Sequence, residues 1–232
     1  MQKSTVILAS YLVMPQIDHP RVPSHWPRDV VYLSRSQYAP GFPASILHQM
    51  RLNPDTSLES QVKSGHKGER TSKKSSVAIR KISSPSHPAY SQNGLFVTCH
   101  IPPHTLILHY TGEIHVDERP SSDYDLTLFK ARKTPSSSLS TKGDAQPEDA
   151  VQYEFVNVGI DAQRMGNEAR FINDYRGTGT PRPNAFFKET YVDGELCMTV
   201  WSGKEGLQKG EEILVSYGKG WWDARQDLCD EV

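Results

Sequence analysis

At 232 residues the chain is long enough for one large domain with a substantial buried core, and 26 Lys and Arg against 27 Asp and Glu leave a net charge of -1. A balance this close argues against a global electrostatic pull toward nucleic acid, so no direct nucleic-acid binding is indicated and a basic substrate has to be recognised locally. The three cysteines, Cys99, Cys197 and Cys229, stand far apart with no CxxC pair, which argues against a structural zinc site and a disulfide framework, and no metal is expected.

The N-terminal run TVILASYLVM has the length of a signal-peptide core, but no A-x-A-like cleavage site follows it. Val6, Ile7 and Leu8 read equally well as a buried strand or a short helix. No run reaches the ~20 apolar residues of a membrane span, so the expectation is a soluble intracellular protein, nuclear or cytoplasmic, with no membrane partner. From Pro15 to Pro43 six prolines and scattered aromatics suit an irregular arm laid over another surface. A helical turn is expected over Ile46 to Leu52, ended by Pro54. Asn53 to Pro88, rich in Ser, Lys, Gly and His, reads as a mobile linker or loop.

Order returns at Asn93. The run GLFVTCHIPPHTLILHYTGEI holds two β-rich segments, Leu95 to Cys99 and Thr105 to Tyr110, around a turn at Pro102 and Pro103. Gly94 is either a plain turn glycine or a place where something approaches the backbone. Tyr124 to Phe129 alternates as a strand, with Tyr124, Leu126 and Leu128 on one face. Ala131 to Ala150 has the composition of an insertion that the core does not need, and Val151 to Ile160 resumes β character. Two further strands are expected at Cys197 to Trp201 and Glu212 to Tyr217. These short strands and long connections predict a mainly β domain of α+β class with non-local pairing.

The stretch Gln163 to Phe187, QRMGNEARFINDYRGTGTPRPNAFF, does not fit a simple packing role. Arg170, Asn173, Asp174, Tyr175, Arg176 and Asn184 crowd a span with three glycines and two prolines, so polar amides stand beside a backbone held at special angles. Tyr217 at a strand end is followed by Gly218, Lys219, Gly220, Trp221 and Trp222. Read alone, that tail is an aromatic cap on the core.

Four segments in this order resemble the SET-domain protein lysine methyltransferases: NGLFVTCHIPPHTLILHYTGE from Asn93 to Glu113, IDA from Ile160 to Ala162, RMGNEARFIN from Arg164 to Asn173, and GEEILVSYG from Gly210 to Gly218. The resemblance implies a SET-like catalytic domain over residues 92–222 with a low-complexity insertion at about 131–150, an N-terminal arm and flexible linker over 1–91, and a tail over 223–232. It implies several small β-sheets and a knot-like core in which the RFIN segment tucks beneath the chain around Tyr217. The implied cofactor is S-adenosylmethionine. Carried over by motif, the backbone around Asn93, Gly94, Leu95 and Phe96 cradles its methionine and ribose, Asn173 and Asp174 meet it near the adenine end, and Trp221 or Trp222 stacks on adenine. Tyr217 brings its hydroxyl to the sulfonium methyl, and Tyr124 lines the channel that admits a lysine. The implied partner is a protein or peptide bearing that lysine, with histone tails the default, which places the protein in chromatin.

The residue types suit the chemistry. Methyl transfer is an in-line displacement, so alignment and exclusion of water dominate. A lysine of pKa ~10.4 has to lose its proton first, and a narrow channel favours the neutral amine. Tyrosine presents an apolar ring and an oxygen that accepts weak C–H contacts. No carboxylate base is required, and Glu113 is assigned a structural or peptide-orienting role. The chain departs from the pattern of the family it resembles in two ways. Asp174 stands where many members have histidine, and the zinc-binding cysteine-rich flanks are missing, so the chain looks closer to the zinc-free PR subgroup. Val215, two residues before Tyr217, leads to the expectation that multiple methylation is permitted. The alternative function, motivated by Asp174 and the long insertions, is a catalytically silent SET module that binds a peptide or partner.

Overall fold

Short runs of alternating or wholly apolar residues, broken by Gly, Pro and polar turns, specify short strands. The computed structural model describes residues 22–51, 61–62, 75–133 and 154–218, and within them the chain forms fourteen strands and one short α-helix. In chain order these are β1 (Val31–Tyr32), β2 (Gln37–Tyr38), α1 (Ala44–Gln49), β3 (Gln61–Val62), β4 (Val77–Lys81), β5 (Asn93–Val97), β6 (Leu106–His109) and β7 (Glu113–His115). There follow β8 (Asp125–Arg132), β9 (Phe155–Asp161), β10 (Met165–Gly166), a 3-10 turn (Glu168–Phe171), β11 (Asn173–Asp174), β12 (Ala185–Val192), β13 (Glu195–Ser202) and β14 (Leu214–Val215). Two four-stranded sheets, ordered β3-β12-β13-β6 and β2-β7-β9-β8, are joined by the two-stranded pairs β1-β10, β4-β5 and β11-β14. The mainly β expectation holds.

The centre of the second sheet is β9, whose Val158, Gly159, Ile160 and Asp161 are buried between β7 and β8. In the first sheet β12 and β13 form a hairpin over eight paired positions. Its turn is Asp193-Gly194, with φ of 52° and 81°, the left-handed pair that a tight hairpin of right-twisted strands demands. The sequence reading did not include β12. Lys188 and Glu189 interrupt its apolar pattern, yet the Asp-Gly pair between Val192 and Glu195 was the signal for it.

The knot-like crossing is built from very few residues. Strand β14 runs parallel to β11, with Asn173 opposite Leu214 and Asp174 opposite Val215. Leu214 also accepts a bond from Asn184 N–H (3.0 Å) and donates its own N–H to Asn184 Oδ1 (2.8 Å). The chain just before Tyr217 is therefore bonded to both ends of the 173–184 loop. The expected strand through Tyr217 shrinks to two residues, because the neighbouring positions are spent on this crossing.

Two expectations about the first 91 residues need correction. The linker does not extend unbroken to Pro88: β4 pairs antiparallel with β5, and Val77, Ile79 and Ile82 are buried. A five-residue alternation was masked by the Ser- and Lys-rich composition around it. The arm is also more than a covering. Its β1 and β2 extend the core by parallel pairing to β10 and β7. Leu33, Ile46 and Met50 are buried, and the Met50 side chain has no exposed surface. The helical turn begins two residues earlier than expected, directly after Pro43. Trp26 stands edge-on to Tyr32 (5.0 Å) and to Phe171 (5.7 Å), and Tyr32 OH donates to Glu168 Oε2 (3.0 Å). These contacts brace the 3-10 turn that leads into Asn173.

The insertion starts later than Ala131, since Ala131 is buried and opposite Val156 in the β8-β9 ladder. Residues 134–153, which carry most of it, lie outside the described residues, as do residues 1–21, 52–60, 63–74 and 219–232. Among the described residues no helix is long and apolar enough to cross a membrane, and no group of His, Cys, Asp and Glu is placed to hold a metal ion.

Candidate active site

Asn167 starts the construction. Its Oδ1 accepts the Ala169 N–H (3.2 Å), capping the 3-10 turn, while its Nδ2 donates to His109 O (2.8 Å). The turn is thereby tied to the end of β6. From it Arg170 donates Nε–H to Ala162 O (3.0 Å) and lays its guanidinium over the Tyr124 ring at 4.2 Å. Arg170 is thus the structural clamp of Tyr124. Further bonds fix the same residue: Tyr124 N–H donates to Ser122 Oγ, Ala162 N–H donates to Tyr124 O, and the buried Tyr110 hydroxyl donates to Tyr124 O (2.6 Å). Ser122 in turn donates to Asp161 Oδ1 (2.7 Å), and Arg119 bridges Asp161 and Glu113. Glu113 is consequently a structural ion-pair partner.

Beyond the turn the chain reaches Ile172, Asn173 and Asp174. The Tyr217 hydroxyl donates to Ile172 O at 2.7 Å. With its proton committed, the phenol oxygen is left as an acceptor only. Burial, followed by the Asp174 carboxylate and the Tyr124 phenol, pushes the Tyr217 pKa well above its ordinary value, so the hydroxyl stays protonated. The Tyr124 phenol is thus close enough to Tyr217 to act on its charge.

Asp174, the departure from the family pattern, is buried and fully engaged. Its Oδ2 accepts Tyr217 N–H (2.7 Å) and Arg176 Nη1 (2.9 Å), and its Oδ1 accepts Arg176 N–H (2.8 Å). The carboxylate holds the backbone of Tyr217.

Asn93, Gly94, Leu95 and Phe96 lie on β5, with Leu95 wholly buried and facing the core. Asn173 Nδ2 is 3.4 Å from Asn93 O and donates to Glu212 Oε1 at 2.8 Å. A Cβ on Gly94 would stand 2.5 Å from that same Glu212 oxygen. The close-approach reading of Gly94 is therefore the one observed. Asn93, Gly94, Asn173 and, through Asp174, Tyr217 converge on one region. Leu95 is on the far side of its strand, and Trp221 and Trp222 fall outside the described residues. The sequence reading missed Glu212 and Asn184 as site-building residues; both stand inside the segments it had singled out, GEEILVSYG and the Gln163 to Phe187 stretch. It also missed His87, whose Nε2 lies 3.2 Å from Glu212 Oε2, and no sequence signal marked it.

A family model of the SET domain matches residues 92–218. Among solved structures, the Chaetomium thermophilum Polycomb Repressive Complex 2 bound to GSK126 is similar at 19% identity with a TM-score of 0.43, over 66% of this chain and 17% of that chain. A crystal structure of the same organism's polycomb repressive complex 2 gives 22% identity and a TM-score of 0.40, over 62% of this chain and 15% of that chain. The chain thus spans less than a fifth of the length of those chains. No curated protein matches it.

Proposed function

From the premise that the chain belongs to the SET-domain family, whose members are generally protein lysine methyltransferases, we propose that it is an S-adenosylmethionine-dependent protein-lysine N-methyltransferase. The observation that carries this reading is the convergence of Asn93, Gly94, Asn173 and Tyr217 across the β11-β14 crossing. In this reading residues 92–222 are the catalytic domain, braced by the described part of the N-terminal arm, residues 22–51, with 223–232 as a tail. The substrate is a lysine side chain of a protein or peptide, with a histone tail the first candidate and the nucleus the corresponding location.

The residues present fit the cofactor. Gly94 lets the Glu212 carboxylate close onto its backbone beside Asn173, and the buried Nε2 of His87 has no hydrogen-bond partner among the described residues. When bound, S-adenosylmethionine would supply a methyl carbon to which a neutral lysine amine bonds in line as the carbon–sulfur bond breaks and S-adenosylhomocysteine leaves. Tyr217, its proton held by Ile172 O, offers an acceptor oxygen where positive charge is spread over a methyl. Tyr124, clamped by Arg170, forms an apolar wall that disfavours the charged form of an entering lysine. Asp174 and Arg176 hold the Tyr217 backbone so that the phenol keeps this placement. The engagement of Asp174 supports an enzyme over a silent binding module, because the aspartate takes on a positioning task where many relatives carry a histidine.

Calorimetric titration with S-adenosylmethionine tests the reading; absence of binding by well-folded protein overturns it. Given binding, Tyr217→Phe is expected to leave affinity within a few-fold while lowering turnover on a histone-peptide mixture at least ~10-fold, the loss of one oriented oxygen.

A further inference from the structure

Among the described residues His87 Nε2 is the one buried side-chain polar atom without a hydrogen bond. His87 sits in the loop from Ile82 to Gln92 that joins β4 to β5. That loop is closed on itself by His87 N–H to Ser84 O, Tyr90 N–H to His87 O and Ser91 N–H to Ile82 O. It is also seated against the far loop of the site, since the Pro88 ring stands 2.6 Å from where a Cβ on Gly177 would be. The imidazole is therefore held in place by its surroundings. Its Nδ1 accepts the Ala89 N–H at 3.0 Å. A nitrogen that accepts carries no proton, so the ring proton is on Nε2 and this N–H needs an acceptor.

Glu212 Oε2 lies 3.2 Å away without forming a hydrogen bond to it. The His87 and Glu212 side chains are 9% and 12% exposed. The second Glu212 oxygen faces Asn173 Nδ2 and the bare backbone of Gly94. One buried spot thus presents an N–H donor without an acceptor and a carboxylate with accepting capacity to spare, next to the strand that lines the proposed cofactor site. Buried groups of this kind cost free energy unless something takes them up. An α-amino acid zwitterion carries the complementary pair, a carboxylate and an ammonium on one carbon.

We propose that His87 and Glu212 form the subsite for the amino-acid end of the cofactor, with His87 Nε2–H donating to its α-carboxylate and Glu212 accepting from its α-ammonium. This rests on the cofactor reading above, gives the headgroup to two side chains to which the motifs assign no role, and moves Asn173, bonded to Glu212 Oε1, from the adenine end expected above to the amino-acid end.

The test compares S-adenosylmethionine with its decarboxylated form, which keeps the ammonium and lacks the carboxylate, by calorimetry on the full chain. His87→Ala is expected to weaken S-adenosylmethionine binding roughly tenfold, the loss of one charge-assisted hydrogen bond, while changing the decarboxylated ligand less than about threefold. His87→Gln, whose amide can donate from a similar place, recovers part of the loss. Glu212→Gln keeps an acceptor for Asn173 and is expected to weaken both ligands alike. Equal losses on the two ligands in His87→Ala would mean that the histidine only shapes its loop, and would overturn the proposal, as would no loss on either. Unchanged binding in Glu212→Gln overturns the ammonium half. If the parent protein binds neither ligand, the cofactor reading itself fails, an outcome distinct from binding that is indifferent to His87.

Discussion

Replacing Asp174 by alanine removes three bonds at once. The Tyr217 N–H loses a charged acceptor at a partly buried position, worth about 1.5–3 kcal/mol. The Arg176 N–H loses its acceptor on a residue that water reaches, about 0.5–1 kcal/mol. The ion pair to a guanidinium that is 38% exposed adds at most about 1 kcal/mol after screening. Together the expected destabilisation is about 3 kcal/mol, or a melting temperature roughly 6–12 °C lower for a domain of this size. Asp174→Asn keeps an oxygen for Tyr217 N–H and loses the charge, so its cost is about 1 kcal/mol. Thermal melts followed by circular dichroism, with urea curves to check that the transition keeps a common slope, measure both. If Asp174→Ala melts within 2 °C of the parent, the carboxylate is not holding the crossing and the account of this departure is wrong.

Three other outcomes follow from the same structure. Met50→Ala, in the N-terminal arm, is expected to cost about 2–5 kcal/mol in urea unfolding because the side chain is wholly buried in the core cluster; a cost below 0.5 kcal/mol would show that the arm is dispensable. Burial raises the folded-state pKa of Tyr32, Tyr38, Tyr110 and Tyr217 above the ordinary value near 10. Above about pH 10 the unfolded chain therefore releases protons that the folded chain retains, so stability is full below pH ~10 and falls as pH rises beyond it. Phenolate absorbance is expected to show these four tyrosines titrating only as the fold is lost, and early titration of all ten would contradict it. If the chain methylates lysine as proposed, Val215 two residues before Tyr217 is expected to permit more than one methylation, read as di- or trimethyl-lysine by mass spectrometry under exhaustive conditions; monomethyl product alone overturns that reading.

Much of the candidate site was legible because its parts are local. A glycine beside Asn93, the RFIN run and a tyrosine closing a GEE strand are each short segments whose residue types carry their own meaning. The same locality explains the misses. Val77–Lys81 is a strand only because β5 covers it, and β12 is a strand only because β13 pairs with all eight of its residues. Composition cannot report a partner that lies elsewhere in the chain. His87 is the extreme case: it sits in a Ser- and Pro-rich loop, and its proximity to Glu212 joins residues 125 positions apart. Asp174 was legible as a departure but not as a replacement, since its acceptor role depends on the Tyr217 amide coming back across the chain to meet it.

The amino-acid sequence by itself determined the mainly β class, the order of the four motif segments and the identity of the tyrosines and asparagine around which the site is built. Those features follow from residue type and short-range spacing. Tertiary structure alone decided that the N-terminal arm is part of the core, that Arg170 clamps Tyr124, that Asp174 holds the Tyr217 amide, and that Glu212, with His87 beside it, meets Asn173. Each is a contact between segments distant in the chain, formed because the β11-β14 crossing brings both ends of the 173–184 loop to the one strand that leads into Tyr217.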